Sequence, residues 1–353
     1  MNAPFKLYGA ELSPYSVKVR AYLRFKGLAF EWLERSVSRQ EEFTRYAKLP
    51  LAPILVDADD NAMQDSTPMI EALERAFPEP SIMPSDPALA FVSALIEDYA
   101  DEWLNKAMFH YRWTYPSDQD SAAQRIIQMM YEGAPAPEGA EEAVKARMVG
   151  RLHHVGSSAE TAPTIEASFM RLLGLLEPCL RRRAYLLGAR PSLADFGLAG
   201  QLTQLLSDPT AGALIKRQAP SVVLWIDRME NPEREGEFAS LDTLRGDLAA
   251  LLQQEIGPVY LAWMAANAQA VAADAPGVSI EIGGGAFSQK PQRYAAKALA
   301  ELRRKRALLG GNEEVAALLS ETGCDSPLSL AAPRAGKEDN ERAEVDDDDD
   351  DAG

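Results

Sequence analysis

A short apolar stretch, Phe5-Lys6-Leu7-Tyr8, runs through a brief connection into Ser13-Pro14 and then into a helical pattern that stops at Gly27. Serine suits the N-cap, where its oxygen takes a free backbone N–H, and proline suits the first helical position, where no N–H is needed. Glycine tolerates the left-handed conformation that ends a helix. Tyr15, Val19, Tyr22 and Leu23 fall on one face, with Lys18 and Arg20 off that stripe. The same grammar repeats: a strand at Phe30-Glu31-Trp32-Leu33, a polar helix over 38–48, a strand at 53–56, and another at Ala62-Met63-Gln64. A helix then carries Met69, Ile70, Leu73 and Phe77 on one face. A βαβα-ββα order specifies a small α/β domain with one mixed sheet. Its first helix begins with a hydroxyl at the positive end of a helix dipole, where negative charge is stabilised.

Pro78, Pro80, Pro84 and Pro87 mark a linker, beyond which helical periodicity takes over. Helices are expected over 89–113 and 122–131, and along Ile165, Phe169, Leu172, Leu173, Leu176 and Leu180, with a surface loop at 133–140. Ser192 and Asp195 form an S-x-x-D capping arrangement, a folding element rather than a catalytic pair. After Pro258 come a further helix, a hairpin around "EIGGG", and a basic helix in which 303–306 read as a solvated face or as anion contacts of low specificity. The expected division is 1–80 as the α/β domain, 86–256 as an all-α helical bundle, and 257–330 as a C-terminal extension packed on that bundle. The remainder, 331–353, reads as a disordered acidic tail.

The net charge of −17 is partly local, because residues 337–353 hold ten acids against Lys337 and Arg342. An acidic body excludes a nucleic-acid groove as the main function. Cys179 and Cys324 stand far apart without metal-ligand spacing, and His110, His153 and His154 offer none, so no metal site is expected. No apolar leader follows Met1, and 259–273 is too short and too polar to span a bilayer. The expectation is a cytoplasmic chain with no membrane or nucleic-acid partner.

Four pieces in order, "SPYSVKVR", "APIL", "QDSTPMI" and "YLLGARPSLADFGLAG", resemble the glutathione transferase superfamily over about residues 4–210. The match is to its serine-type members and to a long bacterial branch with a C-terminal extension. The resemblance implies a thioredoxin-like domain followed by an all-helical domain, with glutathione as co-substrate. Ser13 matches the residue that hydrogen-bonds the glutathione sulfur. Pro53 matches a cis-proline that would let Ala52 pair with the cysteinyl backbone, while Asp65 and Ser66, with Gln64, match the γ-glutamyl-binding residues. The upstream run "LPLAP" departs from the Gly-Lys-Val type common before that proline and leaves Lys48 for the glycyl carboxylate. Tyr15, Trp103, Phe109 and Tyr111 are expected either to line an acceptor pocket or to serve as core.

The chemistry of such a site follows from the thiol. Its pKa of about 8.5 leaves it mostly protonated at neutral pH, and the thiolate is the nucleophile. Lowering that value by two units takes about 2.7 kcal/mol, within reach of a hydroxyl donor and a helix N-terminus together. The expected function is a glutathione transferase that directs the thiolate at a small hydrophobic electrophile. The alternatives are a glutathione-dependent isomerase or ether-cleaving enzyme, and a non-catalytic binding or scaffold protein. A homodimer is implied by the resemblance. Glu97, Asp98 and Asp101 on the first long helix would then either face a partner's ligand or form a solvated acidic helix, with Glu97 and Asp101 sharing an exposed face.

Overall fold

The computed structural model describes residues 4–329, so the tail expected at 331–353 lies outside the described residues. Strand β1 (Phe5–Gly9) leads into α1 (Pro14–Lys26), β2 (Phe30–Glu34), α2 (Gln40–Tyr46), β3 (Ile54–Val56), β4 (Ala62–Gln64) and α3 (Ser66–Ala76). The sheet order is β2-β1-β3-β4, with β1 and β2 parallel and the other two pairings antiparallel. Leu7 stands opposite Leu55 and Tyr8 opposite Ile54. Because successive strand residues alternate faces, this register sends Leu7 and Leu55 toward Val19, Leu23, Met69 and Ile70 of α1 and α3. Tyr8, Ile54 and Val56 face the other way, onto Phe43 of α2.

The helical region begins with α4 (Pro87–Tyr99), a π-helical stretch (Ala100–Leu104) and α5 (Asn105–Thr114), which form one continuous rod. Then follow α6 (Pro116–Met130), α7 (Ala140–Gly150), α8 (Ala162–Arg182), α9 (Leu193–Ser207), α10 (Pro209–Gln218) and α11 (Pro220–Met229). The Ser192–Asp195 capping box opens α9. Asp195 also accepts from Leu186 N and Trp225 Nε1, so this buried acid ties three segments together. Helix α9 sits between α1 and α4. A Cβ added at Gly197 would lie 2.9 Å from Glu97 Cγ, and one at Gly200 would lie 2.7 Å from the Pro14 carbonyl. Two glycines three residues apart therefore let both neighbours approach.

After α11 come α12 (Leu241–Leu251), a π-helical stretch (Leu252–Leu261) containing Pro258, and α13 (Ala262–Ala272). Proline cannot donate to the helix ladder, which fits the widened turn at this place. The hairpin β5 (Val278–Ile282) and β6 (Gly285–Gln289) turns through Gly283 and Gly284, both at positive φ. Helices α14 (Arg293–Leu308), α15 (Glu313–Glu321) and α16 (Asp325–Ser329) complete the described chain. Phe287, Leu299 and Leu318 share one core with α4, α8 and α9. In the basic run 303–306, Arg304 is exposed as on a solvated face, whereas Lys305 makes an anion contact. Lys305 bonds Glu71 of α3 at 2.6 Å and so ties α14 to the α/β domain, while Arg303 bonds the Pro327 carbonyl at 2.8 Å within the C-terminal region itself. Among the described residues no helix is long and apolar enough to cross a membrane.

Candidate functional site

The β1–α1 turn presents Ser13. Its Oγ accepts from Ser16 N at 3.2 Å, with φ −97° and ψ 116° at the cap. The acceptor side of the hydroxyl is thus used, and its hydrogen is left to donate. Two carbonyls just before it are held from the helical domain. Gln204 Nε2 donates to Glu11 O at 2.8 Å, and Arg112 Nη1 donates to Leu12 O at 2.9 Å. Arg112 is buried, with Nε on Asp208 at 2.8 Å and Nη2 on Gln204 Oε1 at 2.9 Å. Neither Arg112 nor Gln204 is legible as a site residue in the sequence, since each acts through backbone that is distant along the chain.

The Ala52–Pro53 peptide is cis, as the resemblance implies. Gln64 does something other than expected. Its Oε1 accepts from Lys48 N and Leu49 N, and its Nε2 donates to Leu49 O and Leu51 O. The amide is therefore spent on fixing the loop before Pro53 and has no group left for a ligand's ammonium. Lys48 itself is exposed.

Asp65 occupies the N-cap position of α3 at positive φ, 83°, without a side-chain capping bond. A non-glycine residue pays strain there, and such strain gathers at ligand sites. Ser66 is buried, and the first N–H groups of α3 lack intrahelical acceptors, as at any helix start. Ser66 Oγ accepts from Lys18 Nζ at 3.3 Å, which frees its own hydrogen to donate.

Lys18 corrects the amphipathic reading of α1, since it is 1% exposed rather than off the buried stripe. Its ammonium bonds Thr67 Oγ1 at 3.1 Å, Asp101 Oδ2 at 2.6 Å and Glu97 Oε1. Glu97 and Asp101 are buried as well. The expectation that they lie on an exposed face awaiting a partner's ligand is therefore overturned: the cation between them is Lys18 of the same chain. One ammonium cannot neutralise two carboxylates. Burial raises the Asp101 carboxyl to about 7, against the pull of Lys18 and with repulsion from Glu97. Burial likewise raises Asp98, which accepts from Tyr260, to about 7.

These shifts set a pH dependence. Between about pH 4 and 7 the folded chain holds protons that the unfolded chain, with ordinary carboxyls near 4, has released. The stabilisation is full below that window and is lost as pH rises through it. Asp98→Asn keeps an acceptor for Tyr260 and removes one of the two titrations. Its melting temperature should fall less between pH 5 and pH 8 than the parent's. Parallel curves would show Asp98 charged throughout.

The aromatic residues divide. Tyr15 donates to Asp101 O at 3.0 Å and accepts from Asn105 at 3.2 Å, which ties α1 to the rod beside Ser13. Phe109 is half-buried against Trp113. Trp103 and Tyr111, each 2% exposed, belong to the hydrophobic core. Trp103 bonds Ser168 and, with Trp263 and Phe287, surrounds the buried Lys106 ammonium, which lies 4.0 Å from the Trp263 ring centre. Tyr111 packs on Phe169 and Tyr115. A cleft of about 720 Å³ opens instead on another face of α1, lined by Leu12, Val17, Arg20, Trp32, Arg125 and Met129. Among the described residues no group of His, Cys, Asp or Glu is arranged to hold a metal ion.

A mixed four-stranded sheet with a cis-proline before β3, joined to a helical domain that pins the β1–α1 turn, defines the two-domain glutathione transferase class. Residues 7–81 match the family model for the glutathione S-transferase N-terminal domain, and residues 141–228 match that for the C-terminal domain. The chain belongs to the glutathione S-transferase superfamily. It is 24% identical over 229 residues to the isoprene-epoxide–glutathione S-transferase of Rhodococcus sp. (strain AD45), covering 62% of this chain and 92% of that one. It is 34% identical over 90 residues to a zeta class glutathione S-transferase of Euphorbia esula, 24% of this chain and 40% of that one. Among solved structures, the beta-etherase LigF from Sphingobium sp. strain SYK-6 is similar at 22% identity and a TM-score of 0.48, over 66% of this chain and 97% of that one.

Proposed function

We propose that this chain binds glutathione across the β1–α1 turn and the start of α3, and that Ser13 stabilises its thiolate for attack on a small hydrophobic electrophile. The observation that carries this reading is the state of Ser13. Its oxygen is engaged by Ser16 N while its hydrogen is free, at the positive end of α1. The γ-glutamyl head group is a carboxylate and an ammonium on one carbon. Ser66 and the α3 N-terminus suit the first, and Asp65 suits the second. The glutathione S-transferase names of the relatives support the same substrate.

Ser13→Ala tests it. Losing a hydrogen bond to a charged sulfur removes about 1.5–3 kcal/mol, so the pKa of the bound thiol should rise by about one to two units. Glutathione affinity in the thiol form should stay near the parent's, because Ser13 addresses only the sulfur. The lost cap should also cost about 1 kcal/mol of stability. Titrating the thiolate absorbance of bound glutathione reads the shift, and an unchanged pKa would remove Ser13 from the chemistry.

A further inference from the structure

Residues 229–329 lie beyond both family models, yet one of their side chains reaches the start of α3. Tyr294, in the first turn of α14, donates its hydroxyl to Asp65 Oδ2 at 2.6 Å, across 229 positions of sequence. The helix that delivers it is fixed. Ala295, Leu299 and Leu302 are buried in the common core. Asn267 grips Gln292, donating to its carbonyl at 2.8 Å and accepting from its N–H at 2.7 Å. Farther along α14, Lys305 anchors on Glu71 at 2.6 Å. A phenol with a pKa near 10 is a donor throughout the neutral range.

A carboxylate has two oxygens and about four acceptor positions. Among the described residues Tyr294 is the side chain that donates to Asp65, and Oδ1 receives no side-chain donor. One oxygen is thus held and the other is available to a cation. An unheld Asp side chain would have to be ordered when a ligand arrives, and that ordering opposes binding. A phenol on Oδ2 removes this cost beforehand.

We propose that Tyr294 is a positioning residue of the glutathione site, supplied by the C-terminal extension, which orients Asp65 toward the α-ammonium of the γ-glutamyl group. This rests on the reading of Asp65 given under the proposed function. It makes the extension part of the binding site, selective for ligands that carry an α-amino-acid head.

Tyr294→Phe deletes one oxygen and keeps the ring. Calorimetry on the full chain would measure glutathione and its des-amino analogue, glutaryl-cysteinylglycine, in parent and variant. The variant should bind glutathione about tenfold more weakly and the analogue as the parent does. The ratio of the two affinities is taken on one preparation, so it does not depend on the fraction folded. Equal weakening for both ligands would assign Tyr294 to helix docking alone and overturn the proposal. Unchanged or tighter glutathione binding would overturn it too, the latter by making Tyr294 a competitor of the ammonium. A parent that binds neither ligand would instead refute the function proposed above. A parent that binds glutathione and the analogue equally would show that Asp65 does not hold the ammonium.

Discussion

Lys18→Met is expected to lower stability by about 3–5 kcal/mol at neutral pH, the cost of leaving buried charge without its partner. For a chain of this size that corresponds to a fall in melting temperature of about 4–7 °C. Methionine preserves most of the volume, so the loss is electrostatic. Glu97 and Asp101 remain with no cation, and Thr67 and Ser66 lose a donor. The deficit should shrink toward pH 5, where Asp101 takes up a proton more readily than an ordinary carboxyl. Adding Glu97→Gln and Asp101→Asn to Lys18→Met should recover most of the lost stability, since the three groups form one network. Thermal melts of the single and triple variants at pH 5 and pH 8 decide it. A single variant that melts with its parent at pH 8 would show that the two carboxylates reach water by another route.

The case of Lys18 shows where the sequence is legible and where it is not. The caps of α1 are local: Ser13, Pro14 and Gly27 are each decided by backbone geometry within a few residues, and all three stand where the pattern places them. Strand alternation is equally local, and it puts Leu7 and Tyr8 on opposite faces of the sheet. Lys18 is different because an ammonium is buried only when counter-charges meet it, and these lie 79 and 83 positions away. A helical stripe records apolar residues and is silent about such a lysine. The same holds for Lys305, whose basic run reads equally as a solvated face or as anion contacts until Glu71 is brought to it. Trp103 and Tyr111 carry the opposite ambiguity. An aromatic run on a long helix suits a pocket wall or a core; Trp263 and Phe287 decide for the core at Trp103, and Phe169 of α8 with Tyr115 does so at Tyr111. Gln64, read beside Asp65 as a ligand contact, is instead used up by the backbone of 48–51. In each case the deciding contact comes from tertiary structure.

Arg112→Met should uncouple the turn that carries Ser13 from the helical domain. Among the described residues, Arg112 Nη1 on Leu12 O and Gln204 Nε2 on Glu11 O are the two side-chain bonds from the helical domain to that turn, and Arg112 also bonds Gln204 Oε1. Removing the guanidinium therefore frees one carbonyl directly and loosens the donor on the other. Stability should fall by about 3 kcal/mol, toward the lower end for a broken buried pair, because Arg125 still holds Asp208. The larger effect should be on the chemistry. A displacement of about 1 Å at a reacting group costs on the order of a hundredfold in rate, and even a fraction of that displacement moves Ser13 off the sulfur. The expected signature is a raised pKa for bound glutathione thiol, as in Ser13→Ala, with the tripeptide's affinity near the parent's because Asp65 and Ser66 are untouched. Arg125→Met serves as the comparison. It removes the more exposed partner of Asp208 and leaves both bonds to the turn intact, so the thiol pKa should stay with the parent. If Arg112→Met melts lower while the bound thiol titrates as before, the bond to Leu12 contributes to stability alone and Ser13 is held by its own helix.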